Sequence, residues 1–321
     1  MQHYRAPRWL PGGHLQTIWP ALFSRPAPGA PPAYRRERWD TPDGDFIDVD
    51  HVDGAPRAPR LVLFHGLESS STSRYALAFA AVARARGWSF SVPHFRGCSG
   101  ELNRAPRAYH SGDWAEVDWI LRRLRAAHPG ALYAAGVSLG GNALLRWAQE
   151  CGGAASGVVD ALAAVSAPLD LAAGAAAIGH GFNRLVYTRM FLRTLKPKAI
   201  ALARLHPGLA DVAAIAAARD LHAFDDAFTA PVHGFADARD YWCRASAGPR
   251  LRDIRVPALV LNARNDPFLP QRALPAARDV GPAVRLEQPR HGGHVGFARG
   301  APPGRIDWMP QRLLAFFAGR G

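Results

Sequence analysis

Residues 132–141 read Leu132–Tyr133–Ala134–Ala135–Gly136–Val137–Ser138–Leu139–Gly140–Gly141. An apolar run enters Gly-x-Ser-x-Gly, and a helical pattern over 142–150 leaves it. Strand, sharp turn and helix in that order form a nucleophile elbow. The turn forces its central residue, Ser138, into a strained backbone conformation, and small flanking residues keep neighbouring backbone from colliding. The serine hydroxyl then stands clear of the sheet, beside the N-terminus of a helix.

Outward from this turn the chain alternates. Residues 60–64 form a short apolar strand ending in His65–Gly66–Leu67, and 73–86 have helical periodicity through Tyr75, Phe79 and Val82. Residues 89–95 alternate like a strand until Arg96–Gly97–Cys98–Ser99–Gly100 breaks them. Residues 113–127 predict a helix, opened by a capping-box-like Asp113 and Glu116, with Trp114, Val117, Ile120, Leu121 and Leu124 on one apolar face. Downstream, 161–166 and 256–262 read as strands and 309–318 as a last helix. Strands alternating with helices imply an α/β fold with a mostly parallel, doubly wound central sheet, and the elbow makes it the α/β-hydrolase version. Residues 40–50 predict an edge hairpin turning at Asp43–Gly44. The first 40 residues, with Trp9, Trp19 and a Pro/Ala tract over 26–32, predict an irregular arm packed on the core. Between 170 and 246 the alternation stops. That Ala-rich segment predicts a helical cap, with helices over 184–195, 199–205 and 210–219, inserted into a core made of 41–169 and 247–321. Residues 161–179, broken by Pro168 and Asp170, predict a strand followed by a loop.

A serine hydroxyl needs a base to take its proton and an acid to orient that base. In this fold the chain order is Ser, acid, His. Asp266 follows the 256–262 strand, in the loop at its C-terminal end where sites gather in open α/β sheets, and is the expected acid. Asp170, Asp225 and Asp226 are its rivals. Residues 289–297 supply two histidines. His294 is favoured over His291, because Gly292–Gly293 frees the loop to aim it inward while Val295 and Phe297 anchor it. The oxyanion of the tetrahedral intermediate needs preorganised donors. The Leu139 N–H after the nucleophile and the Leu67 N–H after the first central strand are the expected pair. No metal-binding cluster such as His-Glu-x-x-His occurs, and no metal or cofactor is expected.

The 321 residues are 48% hydrophobic, enough for a sizeable core. No signal peptide and no clean apolar run of about 18 residues is seen, so a soluble chain is expected. Three widely spaced cysteines (Cys98, Cys151, Cys243) fit a reducing cytoplasm. Of the 39 basic residues 37 are arginine, and the net charge is +13. Dispersed arginines without a nucleic-acid module argue against nucleic acid as a partner. Weak peripheral contact with an anionic membrane surface is compatible with the charge.

Several motifs together resemble the YheT-like α/β-hydrolases, the AB-hydrolase-4 group, which also holds eukaryotic hydrolases of phospholipids and acylglycerols. They are Trp9–Leu10–Pro11–Gly12–Gly13–His14–Leu15–Gln16–Thr17, Leu63–Phe64–His65–Gly66–Leu67–Glu68, the Arg96–Glu101 stretch and Tyr109–His110–Ser111–Gly112. Gly136–Asn142, Phe224–Asp225–Asp226 with Thr229–Ala230–Pro231, Asn262–Phe268 and Gly293–Phe297 complete the set. The resemblance spans about residues 9–297. It implies carboxylic ester hydrolysis by a Ser–Asp–His relay on Ser138, Asp266 and His294, acting on a small-molecule acyl ester. Asn265 departs from the acidic residue expected before Asp266. The N-terminal membrane anchor of the eukaryotic members is not read in this chain. An acyltransferase on the same triad and a non-catalytic binding module are the alternatives.

Overall fold

The computed structural model describes residues 3–26 and 31–319. Part of the Pro/Ala tract over 26–32 lies outside the described residues. Eight strands make one sheet: β1 (Arg35–Asp40), β2 (Phe46–Val52), β3 (Arg60–Phe64), β4 (Ser89–Pro93), β5 (Leu132–Val137), β6 (Ala161–Val165), β7 (Ala258–Leu261) and β8 (Val284–Glu287). Their order is β1-β2-β4-β3-β5-β6-β7-β8. β1, β2 and β4 pair antiparallel, and every pairing from β4 to β8 is parallel. The buried central strands read as continuous apolar runs, as parallel strands covered on both faces must. Helices α3 (Trp114–Ala127) and α4 (Leu139–Cys151) cover one face through Val117, Ile120, Leu121 and Leu144. Helices α2 (Arg74–Ala85) and α12 (Trp308–Phe317) cover the other through Phe79, Ala83, Leu313 and Phe317. This is the doubly wound α/β sheet expected.

The hairpin begins earlier than expected. Residues 35–40, read as part of the arm, form the edge strand β1. Arg36 faces Asp50 and Arg38 faces Asp48 across the pair, with Nε–Oδ1 distances of 2.7 and 2.8 Å. A charged edge strand of this kind discourages pairing with another chain. The rest of the arm is not irregular either. It contains helix α1 (Gly13–Phe23), which passes through Pro20. Pro20 lacks the N–H that would bond the Gln16 carbonyl, and the loop carrying His294 packs closely on that carbonyl.

Two local expectations fail at α3, the first because its acidic residues are engaged elsewhere. Asp113 and Glu116 make no capping box at α3. Asp113 pairs with Arg107, and Glu116 with Arg96 at 2.6 Å. Arg96 also reaches Asp43 and Asp45, so the motif after β4 ties the hairpin to α3. Trp114, placed on the apolar face, is exposed.

Between β6 and β7 lies a helical segment. It comprises α5 (Leu171–Ile178), α6 (Gly181–Asn183), a π-type turn (Arg184–Thr188), α7 (Arg189–Leu205), α8 (Val212–Ala217), α9 (Leu221–Phe224), a second π-type turn (Asp225–Thr229), α10 (Ala230–His233) and α11 (Ala238–Ala245). The loop expected after β6 is α5, capped by Asp170, whose carboxylate accepts from the Ala173 N–H. The break expected between 195 and 199 is absent. α7 runs through Pro197 because its inward row, Leu192, Leu195, Ala199 and Leu202, is buried against Ile215, Phe224 and Phe228. That packing outweighs one lost ladder bond.

Candidate active site

Ser138 sits at the top of β5 with φ 53° and ψ −120°, at the N-terminus of α4. Only Gly fits at 136 and 140. A Cβ at 136 would lie 2.4 Å from the Gly140 carbonyl oxygen, and one at 140 would lie 2.5 Å from the oxygens of Phe64 and His65. The elbow therefore presses directly on the end of β3, which brings the 65–68 loop beside Ser138.

His294 arrives from the loop after β8. Its Nε2 is 3.0 Å from Ser138 Oγ and its Nδ1 is 2.8 Å from Asp266 Oδ2. The other Asp266 oxygen accepts from the Phe268 N–H at 2.8 Å, so the fully buried carboxylate is held at both ends. With Nδ1–H donating to the carboxylate, Nε2 is left to accept from the serine. The Phe268 ring stacks on the imidazole at 4.1 Å. None of the rivals bonds His294: Asp170 caps α5, Asp225, on the pocket wall, accepts from Thr229 and Trp242, and Asp226 accepts from the Ala238 N–H. His291 makes no contact with Ser138.

The 65–68 loop is fixed from both sides. The Gly66 N–H donates to Tyr75 Oη at 2.9 Å and the Glu68 N–H to Tyr109 Oη at 3.0 Å. Tyr109 returns its proton to the Glu68 carboxylate, which also meets Lys198 Nζ at 2.6 Å. His65 is buried and kept neutral, its pKa pushed down to about 3 by desolvation. Its Nε2 accepts from the Phe95 N–H and its Nδ1 faces the Gly66 carbonyl. Among the described residues, the Leu67 N–H between the two tyrosine-bound amides donates to no protein group, and neither does the Leu139 N–H.

The residues of the 9–17 motif show no role in the sequence, and the structure supplies one. Thr17 Oγ1 accepts from the His294 N–H at 2.8 Å, and Gln16 Oε1 accepts from the Gly292 N–H and from Asn265 Nδ2, each at 2.9 Å. Asn265 Oδ1 accepts from the Gly293 N–H at 3.1 Å. The departure at 265 thus supplies a neutral amide that donates to one partner and accepts from another. Gly296 is required because a Cβ there would strike the Gln16 carbonyl oxygen that Pro20 leaves free. Ser166, at φ 50°, accepts from the Val295 N–H at 3.1 Å. Nothing local in the sequence marks Ser166.

Ser138, His294, Leu67 and Leu139 open into a pocket of about 1160 Å³ including its mouth. Its other walls are largely apolar: Ile178, Phe191, Leu195, Leu202, Phe224 and Phe228 come from the helical segment, and Leu102, Tyr109 and Phe268 from the loops of the sheet. Among the described residues no group of three or more His, Cys, Asp or Glu side chains is arranged to hold a metal ion, and no helix is long and apolar enough to cross a membrane.

Fold and site together define an α/β-hydrolase, and the chain belongs to the alpha/beta hydrolase fold family, which matches residues 59–301. Within it the chain falls in the YheT-like group. It is 40% identical to YheT of Escherichia coli (strain K12), described as a candidate esterase, over 94% of this chain and 88% of that one. It is 28% identical to the human phospholipase ABHD3 over 96% of this chain and 76% of that one. Among solved structures, a membrane phospholipase A described as a bacterial virulence factor aligns with TM-score 0.57 and 19% identity, covering 89% of this chain and 86% of that one. The last likeness shows the fold alone. The relatives are of esterase and lipase type, and the chain is a hydrolase.

Proposed function

We propose that the protein is a serine hydrolase of carboxylic esters. The observation that carries this reading is the unbroken chain Ser138–His294–Asp266, at 3.0 and 2.8 Å, beside an apolar pocket. The neutral imidazole takes the Ser138 proton as Oγ attacks the ester carbonyl, while Asp266 holds the tautomer and steadies the imidazolium. The oxyanion forms between the Leu67 and Leu139 N–H groups, where one donor is worth ~3–4 kcal/mol of barrier. Collapse breaks the ester bond, and His294 hands its proton to the departing alcohol. Water, deprotonated by His294, then attacks the acyl-enzyme and releases the acid. The helical segment over 170–246 acts as a cap whose apolar wall receives the acyl chain, so the substrates are acyl esters, short-chain or lipid-like. An alcohol in place of water would make the same intermediate an acyltransferase. The three separate thiols favour the cytoplasm as the compartment.

Turnover of p-nitrophenyl esters from acetate to palmitate tests this reading, together with labelling by a fluorophosphonate. Ser138→Ala is expected to abolish both while remaining folded by circular dichroism. Turnover by the variant at the wild-type rate would reject the assignment. A wild-type enzyme that stays unlabelled and inactive would leave a binding module.

A further inference from the structure

The face where the arm meets the cap is apolar and cationic. Leu15 on α1 is 47% exposed, and on the cap Phe182, Leu185 and Met190 are 51%, 65% and 46% exposed. The two parts touch: the His14 ring packs on Phe182 at 4.7 Å, and its Nδ1 is 3.1 Å from Tyr187 Oη. Rings lead inward from there, Tyr187 to Phe268 at 4.5 Å and Phe268 to His294 at 4.1 Å. Single exposed apolar side chains are ordinary, whereas a group of them beside a substrate pocket marks an interaction surface.

The charge on this face is one-sided. Residues 171–210 contain six Lys or Arg and no Asp or Glu, and residues 1–36 contain no Asp or Glu either. Arg184, Arg189 and Arg193 are exposed, and among the described residues none of the three has an ion-pair or hydrogen-bond partner. The arginines of β1 and Arg96, by contrast, are held by carboxylates.

We propose that this face docks on an anionic lipid surface. Leu15, Phe182, Leu185 and Met190 enter the boundary between headgroups and acyl chains, and the three unpaired arginines meet lipid phosphates. A second copy of the chain fits less well, because a two-fold contact would set one cluster of unpaired arginines against its equal. Duplex nucleic acid would use the arginines and leave the apolar group in water. The inference rests on the surface and not on the esterase reading, so docking and turnover are measured separately.

The test is co-sedimentation with vesicles of phosphatidylcholine and phosphatidylglycerol, against vesicles of phosphatidylcholine alone. The wild type is expected to bind the anionic vesicles, more weakly as salt rises, and to leave the neutral ones in solution. Replacing Arg184, Arg189 and Arg193 by Gln together should weaken binding about 100-fold, about fivefold per charge. Leu185→Ser with Met190→Ser should weaken it about tenfold. Both variants should hydrolyse p-nitrophenyl acetate at the wild-type rate. Four results would overturn the proposal: no binding to the anionic vesicles, equal binding by wild type and both variants, a wild-type dimer that Leu185→Ser with Met190→Ser dissociates, or equal affinity for duplex DNA.

Discussion

Among the described residues six non-glycine residues hold positive φ, and four of them, Ser138, Ser166, Val295 and Phe297, belong to the elbow, the end of β6 and the His294 loop. Such conformations cost roughly 1–3 kcal/mol each and persist only where surrounding structure enforces them. Their concentration around one imidazole marks where positional accuracy is being bought with strain. Asp266 acts at the same scale. Its two oxygens have different tasks, one on His294 Nδ1 and one on the Phe268 N–H. In Asp266→Asn the amide oxygen keeps Phe268 and the NH₂ turns toward Nδ1. Nδ1 must then accept, the ring proton moves to Nε2, and Nε2 can no longer take the serine proton. The expected result is a fall in kcat of about 10⁴ with the fold unchanged. Steady-state kinetics checks it, and a loss under tenfold would transfer the acid role to another carboxylate.

At the scale of elements, the arm is a clamp on the His294 loop. Thr17 Oγ1 accepts from the His294 N–H and donates to the Gly13 carbonyl at 2.7 Å. Thr17→Val keeps the shape and removes the acceptor, leaving a part-buried amide without a partner at a cost of ~1–3 kcal/mol. Because that amide belongs to the residue that must meet Ser138, kcat is expected to fall about tenfold with KM within about twofold. Thr17→Ser should restore it. Equal kcat in all three proteins would reduce the arm to packing. This clamp also shows what the sequence could carry. That Ser138, Asp266 and His294 would meet was legible because the fold fixes their order and each ends a strand or starts a loop. The sheet was legible because buried parallel strands are apolar runs. Helix α1 was not, since Gly12, Gly13 and Pro20 read as breakers, and its support is tertiary, from residues 292–296 on one side and Phe182 and Tyr187 on another. Pro197 reads as a break in α7 for the same reason, and packing overrides that local signal. β8 is a four-residue edge strand with one buried side chain and has almost no pattern.

Across the whole molecule, the buried acids Asp45, Asp48, Asp50, Asp113, Glu116 and Asp307 each meet an arginine. Asp225, half-buried on the pocket wall, has no arginine or lysine partner and is held by Thr229 Oγ1 at 2.6 Å and Trp242 Nε1 at 2.8 Å. Burial, with Asp226 nearby, raises its pKa from 3.8 to about 6 against those two hydrogen bonds. Between these values the folded chain binds more protons at this site than the unfolded chain, so stability falls as pH rises from about 4 through about 6 and stays reduced above it. The loss amounts to about 3 kcal/mol at most, at ~1.4 kcal/mol per pH unit. Asp225→Asn keeps an oxygen for Trp242 and offers its NH₂ to Thr229, which can accept, and it carries no charge at any pH. The variant should therefore unfold at higher urea than the wild type near pH 8, with the gap narrowing by roughly half near pH 5. A gap of the same size at both pH values would mean that the carboxyl at 225 does not titrate in this window, and that its hydrogen bonds alone set its contribution to the fold.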